Sequence, residues 1–360
     1  MVGVVPPAGA RAPVRAVRRE PRHWGLAASC GRRYRGRPMN TTETDPRSLG
    51  EADFRHEALF YEGDEGFVAG IAPFVRDGVE RDEAVLVVVN ASKIDMLRAE
   101  LPGVSDRVMF ADMAQVGRNP ARIIPAWRDF LDRNAVDGLA VRGVGEPIWA
   151  TRTPAELVES QRHEALLNVA FAGSGTWRLL CPYDTSELPQ AVLDEAARSH
   201  AFLADDRGER PSADFHAEQM PLSHLTDELP EPPRVLEALV VDGLQLGRMR
   251  VLVAARAQQF GMEQQQTDDL MLAASEVAAN SVVHGGGTAE FRLWRDAQSL
   301  VCEIRDSGHI DDALAGRERP ATDRLGGRGL WLANQLCDLV QIRSFPSGGV
   351  VRLHMSFSEI

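Results

Sequence analysis

From residue 54 to residue 203 the chain alternates short apolar runs with longer amphipathic ones, a pattern few folds accept. Strand-length apolar runs fall at 58–61, 84–89, 108–111, 139–143 and 177–181. Helical stretches lie at 66–77, 92–101, 120–133, 154–171 and 189–203. Such alternation predicts a largely parallel sheet with helices on both faces. Ser92 is read as the cap of the second helix, and Thr153-Pro154 opens the fourth. Ligands of such sheets bind beyond the carboxyl ends of the strands. Asn90 to Lys93, Asp112, Arg142 to Glu146 and Pro182 to Asp184 stand at those ends. The phosphate-binding pattern G-x-x-x-x-G-K-[ST] is absent, and Lys93 is the only lysine, so nucleotide hydrolysis is not expected in this half.

A different arrangement occupies the last third. Residues 267–287 read as one helix, with Asp268 and Asp269 in its first turn and Leu270, Ala274 and Val277 as an apolar stripe. Glu276 and Asn280 are four apart and share a face. A carboxylate there can take a proton from a hydroxyl, and a carboxamide oxygen can ligand a hard cation such as Mg2+. His284, at the helix end, is read as a cation that offsets the dipole. Strands follow at 289–295 and 300–305, and the second runs into Asp306-Ser307-Gly308. An acid and a glycine there can read an adenine amino group at close backbone approach. After an Arg-rich segment at 309–324, Gly326-Gly327-Arg328-Gly329-Leu330 opens an apolar helix at 330–339. A glycine-rich turn at a helix N-terminus presents free N–H groups to phosphate.

These motifs, in this order, resemble the ATPase fold shared by gyrase, the heat-shock chaperone, histidine kinases and mismatch-repair ATPases. The nearest resemblance is to bacterial anti-sigma-factor serine/threonine kinases. It covers roughly residues 235–358 and implies a Bergerat-type α+β ATP-binding sandwich that uses ATP and Mg2+. By resemblance, Glu276 is the general base, Asn280 the Mg2+ ligand and Asp306 the adenine contact. Gly308, Gly327, Arg328, Gly329 and Leu330 shape the nucleotide pocket, and 309–324 closes over the phosphates. Arg319, Arg324 and Arg328 are the candidates to meet the γ-phosphate charge, because this part has no lysine. Two positions depart from the family pattern: Ile310 stands where D-x-G-x-G has its second glycine, and Ser347-Gly348-Gly349 where Gly-Thr is common.

Arg55 to Tyr61, Gln161 to Asn168 and Leu179 to Thr185 resemble the MEDS sensory domain known from methanogens and methylotrophs. That resemblance covers roughly 52–203 and implies sensing of a signal, with a small molecule as one candidate. Arg-His-Glu-Ala-Leu occurs at 55–59 and again at 162–166, in flanks too different for an internal repeat. His163 followed by Glu164 keeps a histidine-kinase reading open.

The expected organisation is a disordered Arg-rich extension at 1–50, a sensory domain at 51–204, a Pro-rich linker at 205–234 and the ATPase domain at 235–360. The first 38 residues carry nine arginines against one acid, Glu20, and Met39 is a candidate true start. A net charge of −12 argues against non-specific nucleic-acid binding. No apolar run reaches the roughly 18 residues of a membrane span. Cys30, Cys181, Cys302 and Cys337 show no C-x-x-C spacing, which fits a reduced, cytoplasmic setting without structural metal. The expected function is a regulatory kinase that phosphorylates an anti-sigma antagonist and so controls a sigma factor. A non-catalytic sigma-factor-binding module, favoured by Ile310, and a sensor histidine kinase stay open as alternatives. A homodimer is also open.

Overall fold

The computed structural model describes residues 54–134, 140–216, 225–320 and 327–357. The expected extension at 1–50, Arg324 and Gly326 lie outside the described residues. None of the described helices is long and apolar enough to cross a membrane.

The first sheet has seven strands in the order β3-β2-β4-β5-β1-β6-β7. They are β1 (Arg55–Tyr61), β2 (Ala84–Val89), β3 (Val108–Asp112), β4 (Val141–Gly145), β5 (Trp177–Asp184), β6 (Phe202–Asp205) and β7 (Gly208–Pro211). All neighbours pair in parallel except β6 with β7. β2, AVLVVV, shows why this sheet must be covered twice. Val85, Val87 and Val89 enter one core with α1 (Gly63–Glu80) and α2 (Ala91–Glu100). Leu86 and Val88 enter the other, with α3 (Met113–Val116), α4 (Ile123–Asn134), α5 (Pro154–Ala170) and α6 (Gln190–Ser199). Side chains alternate across a strand, so a continuous apolar run needs helices on both faces.

The second sheet is antiparallel, in the order β11-β12-β10-β9-β8. Its strands are β8 (Glu237–Val241), β9 (Ala289–Arg295), β10 (Ser299–Asp306), β11 (Leu339–Phe345) and β12 (Gly348–Ser356). Phe291, Leu293, Cys302, Ile304, Ile342 and Leu353 face the helices α7 (Leu246–Gln259), α8 (Gln264–His284) and α9 (Gly329–Leu336). The opposite face is charged: Glu303, 0% exposed, accepts hydrogen bonds from Arg292, Arg305 and Arg352. The chain is thus a mostly parallel α/β sheet followed by an antiparallel sheet with helices packed on one face, the fold class expected from the sequence.

Local differences have physical causes. The cap of α2 is Asn90, whose Oδ1 accepts from the Lys93 amide, and not Ser92. α8 starts a turn earlier than the acidic pair suggests, because Glu263 and Gln266 form a capping box. Asp268 and Asp269 then accept from Gln264 and Gln265 within the helix. The expected helix at 189–203 stops at Ser199, whose hydroxyl turns back to the Glu195 and Ala196 carbonyls, and the chain re-enters the sheet as β6. Past β7, Asp227 and Pro230 offer carbonyls to Arg343 and Arg352, and Glu231 pairs with Arg292 at 2.8 Å, so this stretch covers the charged face. α5 opens as the sequence predicts, with a capping box of Thr153 and Glu156. Thr153→Ala should therefore cost about 1 kcal/mol, read as a lower urea midpoint at unchanged slope; no change would mean that Pro154 alone sets the helix start.

Candidate active site

α8 buries Leu270, Ala273, Ala274, Val277 and Ala278, and that stripe fixes where its polar residues point. Glu276 and Asn280 lie half-buried beside it. α9 packs on α8, and its first residue comes up against Asn280. A Cβ at Gly329 would run into the Asn280 amide and stand 3.3 Å from the Glu276 carbonyl oxygen. Glycine is required here for a close approach of backbone to side chain. Gly327 and Arg328 precede it, exposed, and Leu330 follows, half-buried. Gly327 has φ +77°, the left-handed region that favours glycine.

The second part of the site is the end of β10. Asp306 Oδ1 accepts from the Gly308 amide at 2.7 Å, which folds the Asp-Ser-Gly turn onto its own carboxylate. Gly285, where α8 ends, lies against that carboxylate, and any side chain there would collide with it. Ser307 ties the two segments together: its amide and its hydroxyl both donate to the Gly285 carbonyl, at 3.1 and 2.8 Å. Gly348, at φ +137°, passes directly beneath the Asp306 carbonyl. Gly285 and the Gly348-Gly349 pair, the latter in sequence only a departure from pattern, are what lets three segments meet at Asp306. A cavity of ≈ 400 Å³ opens there, lined by Val240, Thr288, Asp306, Ser307, Ser347 and Gly348. Glu276 and Asn280 are not in its walls.

The segment after Asp306 is held by contacts. The Ile310 amide donates to Ser344 Oγ at 2.9 Å, and its side chain packs on the sandwich core. Ile310 is not at positive φ, so a side chain brings no backbone strain where the family pattern has glycine. Gly316 is, at φ +72°, and its carbonyl accepts from Asn334 of α9 at 2.9 Å. Of the arginines expected to meet phosphate, Arg319 pairs with Asp129 at 3.6 Å and Arg328 is exposed beside Gly329. Arg317, not singled out from sequence, is buried against Glu159 of α5 at 3.4 Å. Ala313 and Leu314 pack on the core under the first sheet, and Arg128 of α4 pairs with Glu318 at 2.5 Å.

The first sheet also holds the far end of α9. Arg122 donates to the carbonyls of Asn334, Gln335 and Cys337 at 2.8, 2.6 and 3.0 Å. The Asn119 amide reaches the same three-residue end. Basic groups on the last carbonyls of a helix complement its dipole. One helix thus meets the candidate site at its N-terminus and the domain of the first sheet at its C-terminus. No sequence signal marks this contact, since it joins residues over 200 positions apart.

The strand-end groups of the first sheet are engaged with each other. Lys93 Nζ donates to Tyr61 Oη and Glu146 Oε1, each at 2.6 Å, and Tyr61 donates to the same carboxylate at 2.7 Å. Burial pushes the Glu146 carboxyl up, and Lys93 opposes it. Asp112 caps α3, and Arg142 is buried between Glu83 and Asp77. His163 is 1% exposed, and burial lowers it to about 3, so it is a core side chain and not a presented phospho-acceptor.

Comparisons with known proteins divide the chain along the same line. Residues 55–201 match the model of the MEDS domain, described as the methanogen/methylotroph DcmR sensory domain. Residues 241–355 match that of the histidine kinase-like ATPase domain. A curated relative, the serine-protein kinase RsbW of Halalkalibacterium halodurans, is 31% identical over 128 residues, 32% of this chain and 76% of that protein. A solved structure, the RsbU and RsbW domains of a Mycobacterium tuberculosis protein, is 16% identical with a TM-score of 0.26. It covers 34% of this chain and 33% of that one, too distant a likeness to bear on fold or function.

Proposed function

We propose a regulatory protein kinase as the function of this chain, which belongs to the family of the serine-protein kinase RsbW. The chain would phosphorylate a serine or threonine of an anti-sigma antagonist and so set the free level of a sigma factor. One observation carries this reading: the Asn280 carboxamide and the Glu276 backbone carbonyl, one turn apart on α8, abut Gly329 at the N-terminus of α9. Asp306 stands where α8 ends.

The residues present fit ATP and Mg2+. Gly329 leaves the Asn280 carboxamide no bulk to its side, and the α9 N-terminus has no side-chain cap of its own. Its amides are then the natural partners of an anion. Asn280 would hold the cation, Asp306 the adenine amino group, and Gly327 to Leu330 the phosphates. ATP supplies the phosphoryl group when bound. Glu276, half-buried on the same helix face, would take the proton from the acceptor hydroxyl. Placing these groups is most of what such a site must do, since phosphoryl transfer rests on positioning and charge stabilisation.

The regulatory part of the reading rests on the contacts of 312–319 and of α9 with the first sheet. A change of shape in that sheet would reach both the segment beside the site and the helix that forms its phosphate end. The direct test is incubation of the purified chain with labelled ATP, Mg2+ and candidate antagonist proteins. Label on antagonist serine or threonine supports the kinase; ATP binding without transfer to any antagonist leaves only a binding module. Gly329→Ala should weaken ATP binding about tenfold or more, in line with the 1–3 kcal/mol of a forced contact. Calorimetry of the folded variant checks this, and unchanged affinity would remove the α9 N-terminus from the site.

A further inference from the structure

Four side chains under the first sheet converge on one point. His56 (β1), Glu164 (α5), Cys181 (β5) and His200 (after α6) each place a donor atom within 4.8 Å of the others. All four are at most 2% exposed. His56 comes from the first Arg-His-Glu-Ala-Leu copy and Glu164 from the second, so the fold joins two segments the sequence only echoes.

Tautomers make this cluster unusual. His200 Nδ1 lies 2.8 Å from the Ala196 carbonyl, which can only accept, so Nδ1 carries the proton. Its Nε2 then presents a lone pair, 3.3 Å from Glu164 Oε2 and without a hydrogen bond. Asn168 donates to the Ser199 carbonyl at 2.8 Å, which turns its oxygen toward His56 Nδ1 at 3.2 Å. His56 Nδ1 donates there, and its Nε2 also presents a lone pair, 3.0 Å from the same Glu164 oxygen and 3.4 Å from Cys181 Sγ. Two lone pairs, a carboxylate and a sulfur face each other out of reach of water, and Glu164 Oε1 has no partner either. The Cys181 thiol offers a single proton to this group of acceptors, and a cation between them would satisfy the rest.

We propose that His56, Glu164, Cys181 and His200 form a site for a divalent transition cation of the Zn2+ class. This goes beyond the kinase reading and does not depend on it. Two imidazoles, a carboxylate and a thiolate are the donors a four-coordinate Zn2+ takes. With bonds of about 2.0–2.3 Å, tetrahedral donors stand roughly 3.3–3.8 Å apart, and the observed 3.0, 3.3 and 3.4 Å lie close to that. On binding, Cys181 releases its thiol proton to solvent and the sulfur bonds to the ion; no electron is transferred. The ion's two positive charges then balance one thiolate and one carboxylate, which leaves a buried site neutral. The Nδ1–H bonds to Ala196 and Asn168 are the outer contacts that metal-bound imidazoles commonly make. The sequence gives no hint of it, since His56, Glu164, Cys181 and His200 have no ligand spacing, and the expectation of no structural metal rested on spacing alone.

The test uses the full chain without a polyhistidine tag, stripped with a chelator and titrated with Co2+. One equivalent should bind, with the strong d–d absorption of four-coordinate cobalt and a thiolate-to-cobalt charge-transfer band. Zn2+ should abolish both by displacement. Cys181→Ser should lose the charge-transfer band, and Cys30→Ser should keep it. Glu164→Gln should keep the band and weaken Zn2+ at least about tenfold. The wild-type spectrum decides even if a variant fails to fold: the weak spectrum of six-coordinate cobalt, or no bound equivalent, overturns the site. A charge-transfer band that persists in folded Cys181→Ser overturns it as well.

Discussion

Glu276→Gln should bind Mg-ATP within a few-fold of wild type and transfer phosphate about 10²–10⁴ times more slowly, the usual range for a positioned base. The change keeps size and hydrogen bonding and removes only the proton acceptor. Glu276 sits on the flank of α8, half-buried and outside the core stripe, so the fold does not depend on its charge. Asn280→Ala should fail differently. It removes one of few protein oxygens on the cation, and Mg2+-dependent binding itself should weaken. It also empties the space against which Gly329 packs, which loosens the α9 N-terminus. Separate measurement of ATP affinity and of transfer to the antagonist tells the two defects apart. In a stoichiometric sigma-factor binder neither change would alter sigma capture more than a surface mutation does. Wild-type transfer by Glu276→Gln would strip Glu276 of the base role.

Periodic elements were legible in this chain, and contacts between distant segments were not. β2 and β9 run over the residues their apolar patterns mark, because strand burial is written locally in alternation or in an unbroken Val-rich run. The helix start at Thr153-Pro154 is local for the same reason. Ends decided by tertiary contact escaped: α9 stops at Leu336 and not at 339, because Leu339 and Val340 are taken up by β11 against β12. β6 and β7 lay hidden in a polar stretch, since an edge pair with one mostly exposed strand needs little apolar sequence. Glu276, Asn280 and Asp306 could be singled out as candidates from their motifs. Gly285 and Gly348 were not, because what makes them necessary is the Asp306 backbone and carboxylate arriving from another segment. Arg317 read as one more arginine in a polar loop, and only its burial against Glu159 sets it apart.

Glu159→Ala should be the most destabilising single change at the junction of the two sheets, by about 3–5 kcal/mol, the loss typical when one partner of a buried ion pair is removed. Glu159 is 1% exposed, and Arg343 Nη1 donates to it at 2.8 Å. Arg317 and Arg162 add guanidinium nitrogens at 3.4 and 3.6 Å. All three arginines are at most 3% exposed, so one carboxylate is the nearest counter-charge to three buried cations. Burial, with Arg162 alongside, already lowers Arg317 to about 9, which marks how poorly that charge is solvated. Carbonyl oxygens of Asp227 and Ile342 give Arg343 and Arg162 partial compensation, and Arg317 Nη1 has no partner. The cluster belongs to α5, to β11 and to the segment beside the candidate site, so its loss should loosen that segment before the sheets melt. Urea unfolding would show the stability loss, and limited proteolysis should cut first within 309–320. Adding Arg317→Met to Glu159→Ala should restore part of the stability, because it removes an unpaired buried charge from a site coupled to Glu159. A loss below about 1 kcal/mol for Glu159→Ala, in the range of an exposed pair, would mean that water reaches the cluster. The junction would then be too loose to carry a signal from the first sheet to α9.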